Sequence, residues 1–384
     1  MSKKVVVIGA GLAGLNCART LHKAGAEVVV LESSNRIGGR VGTDYVDGFT
    51  LDHGFQVINP AYSELIRTGV VEQLKLMPLP KGIEVYDSGR LLLLGDPRAG
   101  WQYLAGAISG SPGTVGEKLN FLRFMAGGGK EGNLGVAMEK SGSFYQKIIK
   151  PFLSGVFLTN PDEISAAVAG EFLTWFRKGG PGVPKNGVQS LPNALAANLN
   201  IQLENLVTGI QDRSVKSANG DYLADVVVVA TGQKQAAQLL GRGKWSSNSS
   251  ITWYHSIPQG LIESKHLRTY PNSAITNSVA ISNIATSYAP VEQTLISTTA
   301  LQDVTETELL RDLAQLWSIS PKEFSFIKRY ELPESLPKHL PGKPLLSPLR
   351  VTDSLYVIGD HQAVPSQQGA LLTGRLAAEE ILKN

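Results

Sequence analysis

Three glycines and one acidic residue near the start of the chain have the types and spacing of a dinucleotide site. Gly9, Gly11 and Gly14 form G-A-G-L-A-G between a strand-like run and the start of a helix, and Glu32 ends the next strand-like run. In such a motif the first glycine permits a tight turn, the second lets the backbone approach a diphosphate, and the third lets the helix pack on the strand. The free N–H groups of Leu12 and Ala13 would face the phosphates, and an acid that binds the ribose disfavours NADP.

The elements that position this motif occur in three distant parts of the chain. The runs VVVI (5–8), EVVVLE (27–32), DVVVVATG (225–232) and SLYVIGD (354–360) are typical of buried parallel strands, and a helix is expected over about 369–382. We therefore predict an α/β fold with one discontinuous Rossmann-like nucleotide-binding domain, residues 1–60, 187–245 and 345–384. Residues 61–186 and 246–344 would form an inserted α+β substrate domain.

The second insertion alternates like β-structure. Strands are expected at 250–257, 274–286 and 294–301, a helix at 306–317, and a Pro-rich connection at 333–344.

The amino-acid composition limits the classes of function that the chain can have. With 384 residues, 42% of them hydrophobic, the chain can bury a large core, and a net charge of +3 gives no indication of nucleic-acid binding. One cysteine, Cys17, excludes an internal disulfide framework, and no metal site is predicted. A strand-like run from residue 5 leaves no room for a signal peptide and no run is long enough to span a membrane, so we expect a soluble cytoplasmic protein.

A second motif follows Glu32 directly. Residues 33–41 read S-S-N-R-I-G-G-R-V, with Arg36, Gly38, Gly39 and Arg40 in an R-x-G-G-R pattern. Here the chain resembles the flavin amine-oxidase superfamily, which includes monoamine oxidases, protoporphyrinogen oxidases and phytoene desaturases. The resemblance implies FAD as the cofactor, with Arg40 and the two glycines against the diphosphate and flavin. An arginine fork suits phosphate oxygens, and paired glycines admit a flat ring close to the backbone.

The resemblance extends to both ends of the chain. It implies that Val207 meets the adenine, that Gly359 and Asp360 contact the ribityl chain, and that the helix start at Gly369 and Ala370 faces the pyrimidine edge of flavin. The further FAD contacts expected from matching segments are Ser33, Gly54, Phe55, Gln56, Thr231 and Gly232, and Asp52 is also expected near the flavin.

Residues for catalysis and substrate binding are less defined. His361 and His53 are candidate bases or hydrogen-bond donors to flavin, or else structural histidines. Trp175, Trp253 and Tyr254 are candidates to wall a substrate cavity, or else plain core residues.

Two departures from the family separate this chain from classical amine oxidases. The strand ITWYHS (251–256) lacks the lysine expected near flavin, and Ser366 stands where a tyrosine is expected. These absences favour desaturase-like or protoporphyrinogen-oxidase-like hydride transfer from a small or apolar substrate, with oxygen or a quinone as acceptor. A flavin-containing amine or amino-acid oxidase and a non-catalytic flavin-binding protein remain alternatives. An NAD-only dehydrogenase is a fourth possibility.

An apolar stretch with interspersed basic residues lies in the first insertion, at 90–94, 101–108 and 119–125. It is interpreted either as helices that pack on their own domain or as a peripheral membrane contact.

Overall fold

The computed structural model describes residues 2–95, 113–241, 243 and 245–383. The strands are β1 Lys4–Ile8, β2 Glu27–Leu31, β3 Thr43–Val46, β4 Phe49–Asp52, β5 Leu76–Pro78, β6 Gly82–Asp87, β7 Arg90–Gly95, β8 Gly182–Pro184, β9 Asn200–Gln202, β10 Val207–Gln211, β11 Ser214–Ser217, β12 Gly220–Leu223, β13 Val226–Val229, β14 Ser247–Pro258, β15 Leu267–Thr269, β16 Asn277–Ala280, β17 Gln293–Ala300, β18 Ser325–Pro337 and β19 Leu355–Val357. The α-helices are α1 Leu12–Lys23, α2 Ser63–Thr68, α3 Val115–Met125, α4 Leu134–Met138, α5 Gly142–Phe144, α6 Lys150–Phe157, α7 Ala166–Lys178, α8 Ser190–Ala196, α9 Gln233–Leu239, α10 Ile281–Ile284, α11 Glu306–Trp317 and α12 Gln367–Lys383.

A parallel sheet in the order β19-β13-β1-β2-β9 carries the nucleotide motif. Val5 pairs with Val28 on one side and Val226 on the other, and β1 and β13 are valine-rich and buried on both faces. Branched side chains suit such strands, because both faces are covered. The α/β fold class is confirmed, and the sheet draws strands from all three segments assigned to its domain. The residue boundaries of the domains stay a prediction.

The helix layer on this sheet joins the two ends of the described chain. α1 crosses α12 so closely that a Cβ at Gly374 would lie 2.3 Å from the carbonyl oxygen of Ala13. The side chains of Tyr62, Leu65 and Val70 also belong to this core, although the sequence placed residues after 60 in the substrate domain.

The second large sheet has seven strands in the order β18-β14-β17-β16-β15-β6-β7. One face packs on α11, where Trp253 joins the cluster that contains Leu313. The expected strand at 274–286 is shorter than predicted, because α10 begins at Ile281. The prediction that 333–344 is a connecting segment is partly wrong, since β18 extends to Pro337. β18 is the outer strand of the sheet, and outer strands tolerate proline.

Helices α3, α4, α6 and α7 build a third apolar cluster beside this sheet. Of the apolar stretch considered for membrane contact, 90–94 lies in β7, 119–125 lies in α3, and 101–108 falls outside the described residues. Within the described part of the chain, no helix has the length and apolar character to cross a bilayer. Peripheral membrane contact stays a prediction.

Candidate active site

A continuous cavity of about 2240 Å³ extends from the carboxyl edge of the parallel sheet to the seven-stranded sheet and helices α6 and α7. Pockets for drug-sized ligands hold about 300–1,000 Å³, so this space suits a long cofactor together with a substrate. The residues predicted to bind the cofactor that line it are Gly9, Gly11, Leu12, Ala13, Glu32, Ser33, Arg36, Gly38, Gly39, Arg40, Gly54, Phe55, Gln56, Val207, Thr231, Gly232, Gly359, Asp360 and Ala370.

The turn after β1 has the geometry that its glycines predict. Gly9 has a φ of 105°, and a Cβ at Gly14 would lie 2.0 Å from the carbonyl oxygen of Gly9. A Cβ at Gly11 would meet no atom within 4 Å. Gly14 therefore makes the close helix–strand contact and does not line the cavity, whereas Gly11 borders open space at the start of α1.

Glu32 anchors the same turn through its carboxylate. Its Oε2 accepts a hydrogen bond from the Ala10 N–H at 2.8 Å, and its Oε1 accepts from the Ser34 N–H at 2.9 Å and the Ser34 hydroxyl at 2.8 Å. The side chain is buried and borders the cavity next to Ser33. A carboxylate has about four acceptor positions, so it can also accept from a ribose hydroxyl.

Arg36 holds the loop that contains Gly38 and Gly39 through hydrogen bonds to its backbone. Its guanidinium donates to the carbonyl oxygens of Ile37, Gly39 and Val41, the bond to Gly39 being 2.8 Å long. Gly38 donates to the carbonyl of Ala10 at 2.8 Å, which fixes the pair beside the first turn. Arg36 is therefore a positioning residue for this loop, although it also borders the cavity.

Arg40 and Asp360 form an ion pair across the cavity wall. The Arg40 guanidinium donates to Asp360 Oδ1 at 2.5 Å and to the carbonyl oxygen of Ser335 at 2.9 Å. Asp360 is buried, while the Arg40 side chain is 44% exposed. The pair places a cation and an anion side by side where the β19 edge meets the R-x-G-G-R loop.

The start of α12 is capped by a serine. Ser366 Oγ accepts from the Gly369 N–H at 3.0 Å, and a Cβ at Gly369 would lie 2.0 Å from the Val364 carbonyl oxygen. Gly369 thus packs against this carbonyl and does not line the cavity, whereas Ala370 does. A serine is a favoured N-cap residue, which gives Ser366 a structural role at the position expected to hold tyrosine.

His53 lies at the cavity with both ring nitrogens engaged. Nδ1 is 3.2 Å from the Arg36 guanidinium, which can only donate, so Nε2 carries the proton and donates to Asp44 at 2.9 Å. Asp44 also accepts from Lys328 at 3.1 Å and Tyr330 at 2.7 Å. Partial burial of Asp44 opposes ionisation, but these hydrogen bonds lower its pKa to about 2. The network holds His53 in place and leaves no free nitrogen for a base.

His361 does not line the cavity. It is buried with Nε2 lacking a partner among the described residues, and its ring packs where a Cβ at Gly359 would be 2.6 Å away. Burial lowers the pKa of His361 to about 4, so the ring is neutral at pH 7. The structure places it behind Gly359, where it prevents any larger residue at that position.

Asp52, which was expected near the flavin, lies in the core and is not among the described residues that line the cavity. Its carboxylate accepts from the Thr43 hydroxyl at 2.6 Å, the Val188 N–H at 2.9 Å and the Tyr288 hydroxyl at 2.9 Å. Burial raises the pKa of Asp52 to about 6. Asp52 therefore ties β4 to distant segments beneath the site.

The three aromatic residues proposed to wall the cavity lie elsewhere. Trp175 packs edge-on to Tyr62 at a centroid distance of 5.2 Å, and Trp253 packs on the face of the seven-stranded sheet covered by α11. Tyr254 is fully buried and donates to the Asp52 carbonyl at 2.8 Å. None of them is among the described residues that line the cavity, so that prediction is corrected: their large apolar surfaces complete the cores.

The end of the cavity beside α3, α6 and α7, here called the substrate end, is instead formed by apolar residues that the sequence did not assign to a cavity. They are Phe121, Leu122, Met125, Ile148, Ile149, Phe152, Val156, Phe172, Leu173 and Phe176. Their helical spacing predicts an apolar helix face but not whether it borders a core or a cavity.

Comparison with known proteins decides the family. The family model for flavin containing amine oxidoreductases matches residues 12–382. The chain belongs to this family. The resemblance inferred from the glycine and arginine motifs is thereby confirmed. The prediction of a flavin-dependent oxidoreductase is confirmed as well.

Individual relatives of this oxidoreductase match more locally. Putrescine oxidase from Kocuria rosea is 43% identical over 90 residues, which cover 23% of this chain and 17% of the relative. Chloroplastic protoporphyrinogen oxidase from Nicotiana tabacum is 27% identical over 183 residues, covering 43% of this chain and 31% of the relative. The chain thus spans less than a third of either relative's length.

The fold of this chain is shared with a solved structure over nearly its whole length. An oxidoreductase from Methanosarcina mazei has a TM-score of 0.77 and 17% identity, and the match covers 98% of this chain and 100% of the other.

The residues of this flavoprotein fit its cofactor. The open space before Gly11 adjoins N–H groups at the start of α1 that have no partner within a helix, which suits a diphosphate. Glu32 would hold the adenosine ribose, and Val207 lines the cavity at the same end. Gly54 to Gln56 and Ala370 line the part that would hold the flavin ring.

Proposed function

We propose that this oxidoreductase removes a hydride from an apolar organic molecule, with chemistry like that of desaturases or protoporphyrinogen oxidases. The observation that carries the proposal is the lining of the substrate end. Three carboxylates border the described cavity, Glu32, Glu334 and Asp360, and all three belong to its nucleotide side. Glu334 is 3.8 Å from Lys234 and near Gly232, and Asp360 pairs with Arg40.

A polyamine would be poorly held in such a cavity. A cationic amine in an apolar site needs a nearby anion, because burial of an unpaired charge is costly. The charged residues that border the substrate end are cations, Lys81, Lys118, Arg177 and Lys178. Their field repels a second cation and favours a neutral or anionic molecule.

The chain's own residues position and shield the reactants. Flavin, when bound, would supply the redox chemistry, namely uptake of a hydride from substrate carbon and transfer of its electrons to oxygen or a quinone. Phe152 and Phe176 pack edge-to-face at a centroid distance of 5.3 Å and present a water-excluding wall. The network of Arg36, Asp44 and His53 fixes the loop beneath the flavin position, so that alignment supplies much of the rate.

Reduction of the flavin under anaerobic conditions tests the proposal. We expect the visible absorption of flavin to bleach with isoprenoid or porphyrinogen-like compounds and to stay unchanged with putrescine, spermidine or benzylamine. Peroxide release on feeding amines would instead support an amine oxidase. If photoreduced protein is not reoxidised by oxygen or quinone, a non-catalytic flavin-binding role is favoured.

A variant pair makes this test specific to the cavity. Phe176→Ala should lower kcat/KM for the apolar compound about tenfold or more, because it opens the wall to water. Phe326→Ala is the matched control, since Phe326 is 49% exposed and outside the described lining, and it should leave kcat/KM unchanged. Equal effects of the two substitutions would refute the assignment of the wall.

A further inference from the structure

A row of uncharged polar side chains crosses the seven-stranded sheet where it borders the cavity. Thr252 of β14 pairs with Thr299 of β17, which pairs with Asn277 of β16. The pairing of Arg268 with Ser278 sets Thr269 of β15 beside Asn277. Paired residues share a face, so the four side chains form one row, here called the polar row. All four line the cavity and none is more than 4% exposed.

Three polar atoms of the polar row lack hydrogen-bond partners in the described part of the chain. Thr252 Oγ1, Thr269 Oγ1 and Asn277 Oδ1 are buried and find none among the described residues. On the opposite face of the same strands, Ser278 Oγ lies 2.9 Å from Thr298 Oγ1 and accepts from the Trp317 indole N–H at 3.0 Å. Buried polar groups are nearly always paired. Ser278 and Thr298 are therefore hydrogen-bonded on the helix face, whereas Thr252 Oγ1, Thr269 Oγ1 and Asn277 Oδ1 on the cavity face are not.

The row runs outward from the flavin position. A Cβ at Gly54, in the flavin-facing segment, would lie 3.9 Å from Thr252 Oγ1. At the centre, Asn277 Nδ2 would be 2.5 Å from a Cβ at Gly155 of α6, so the amide is held between sheet and helix. Adjacent strands are about 4.8 Å apart, which gives the row a length of about 14 Å.

We propose that the polar row binds an uncharged hydrogen-bonding group, such as a hydroxyl, carbonyl or amide, on an otherwise apolar substrate. The inference rests on the proposed function and specifies its substrate class. Threonine hydroxyls and an asparagine amide both donate and accept, so the row suits neutral groups of either kind. No charged side chain belongs to it, and a buried charge there would be unpaired. The position of the row sets which end of the substrate lies toward the flavin.

Binding of two matched probes to the flavin-loaded protein tests this inference. Naphthalene and 2-naphthamide share an apolar body and differ in one uncharged polar group. We expect 2-naphthamide to bind about tenfold more tightly, as measured by the change in flavin absorption, since one good hydrogen bond in a dry cavity corresponds to about that factor. Asn277→Leu and Thr252→Val should each reduce this preference to about threefold or less and change naphthalene binding by less than about twofold.

Thr298→Val is the matched control. Thr298 belongs to the same sheet, but its hydroxyl is bonded on the other face. This substitution removes an existing hydrogen bond and should keep the full preference for the amide. Thr252→Val removes a hydroxyl without a partner and should unfold no earlier than wild type on heating.

The outcomes separate this inference from the proposed function. Equal affinity for the two probes, or a preference for the amide that survives both substitutions, would contradict the proposed role of the polar row. Neither result would contradict the apolar character of the substrate end. Failure of both probes to bind would overturn the apolar substrate end itself. Should Asn277→Leu fail to fold, Thr252→Val and Thr269→Val carry the same test.

Discussion

Substitution of Gly11 by alanine should separate cofactor binding from folding. Gly11 has a φ of −72° and a ψ of 175°, which alanine adopts without strain, and an added Cβ meets no protein atom within 4 Å. The methyl group would instead occupy the space beside the start of α1, where the diphosphate is expected. The folded protein without flavin therefore tolerates Gly11→Ala, and the complex does not.

The expected magnitudes follow from these contacts. Replacing glycine at a compatible position stabilises a protein by about 0.4–1 kcal/mol, because the unfolded chain has less freedom. Forcing a methyl group into an occupied site costs about 1–3 kcal/mol, which is about 5–150-fold in affinity. Urea unfolding of the flavin-free protein should thus show equal or greater stability, and titration with FAD, followed by quenching of flavin fluorescence, should show the weaker binding.

Gly14→Ala is the contrasting variant. Its Cβ would lie 2.0 Å from the Gly9 carbonyl oxygen and 3.1 Å from Ala230 Cβ, so the flavin-free protein itself should be destabilised. Flavin affinity of Gly11→Ala equal to that of wild type would refute the reasoning. The same conclusion would follow if Gly11→Ala lowered the stability of the flavin-free protein as much as Gly14→Ala does.

Three further predictions concern residues around the cavity. Burial raises the pKa of Asp52 from its ordinary value of 3.8 to about 6, so the contribution of the protonated carboxyl to folding stability is full below about pH 4 and is lost as pH rises through 6. Relative to Asp52→Asn, wild type should lose up to about 3 kcal/mol of unfolding free energy between pH 4 and 7, measured in urea; parallel pH profiles would contradict this. Ser366→Ala should lower stability by about 1 kcal/mol in thermal unfolding, and Ser366→Asp should restore it, because both serine and aspartate cap helices. Arg36→Ala should weaken FAD binding about tenfold or more and increase amide exchange at residues 37–41; unchanged exchange there would show that Arg36 does not hold the loop.

The nucleotide half of the structure was predictable because local sequence determines it. Valine runs specify buried strands, and the spacing of Gly9, Gly11 and Gly14 specifies a turn whose geometry has few solutions. The structure assigns Gly14 and Gly369 to packing and not to the cavity surface, since their missing side chains make room for backbone.

The substrate half was less predictable because burial does not distinguish a core from a cavity wall. Trp253 and Thr252 are neighbours on one strand and face opposite sides, so alternation separates them but does not say which side is open. The sequence favoured Trp253 as a cavity residue because it is aromatic, but Thr252 lines the cavity instead. The phenylalanines of α6 and α7 could be assigned only once the helices were placed against the sheet.

The contact of α1 with α12 has a consequence for biosynthesis. Lys3 Nζ donates to the carbonyl oxygen of Ile381 at 2.8 Å, and Asn16 donates to that of Leu371 at 2.7 Å, so segments far apart in the chain close one layer. During translation the first helix emerges hundreds of residues before its partner, and such non-local closure is slow and exposes apolar surface. The parallel sheet and its helix layer can therefore be completed, and the flavin site with them, only after β19 and α12 have left the ribosome.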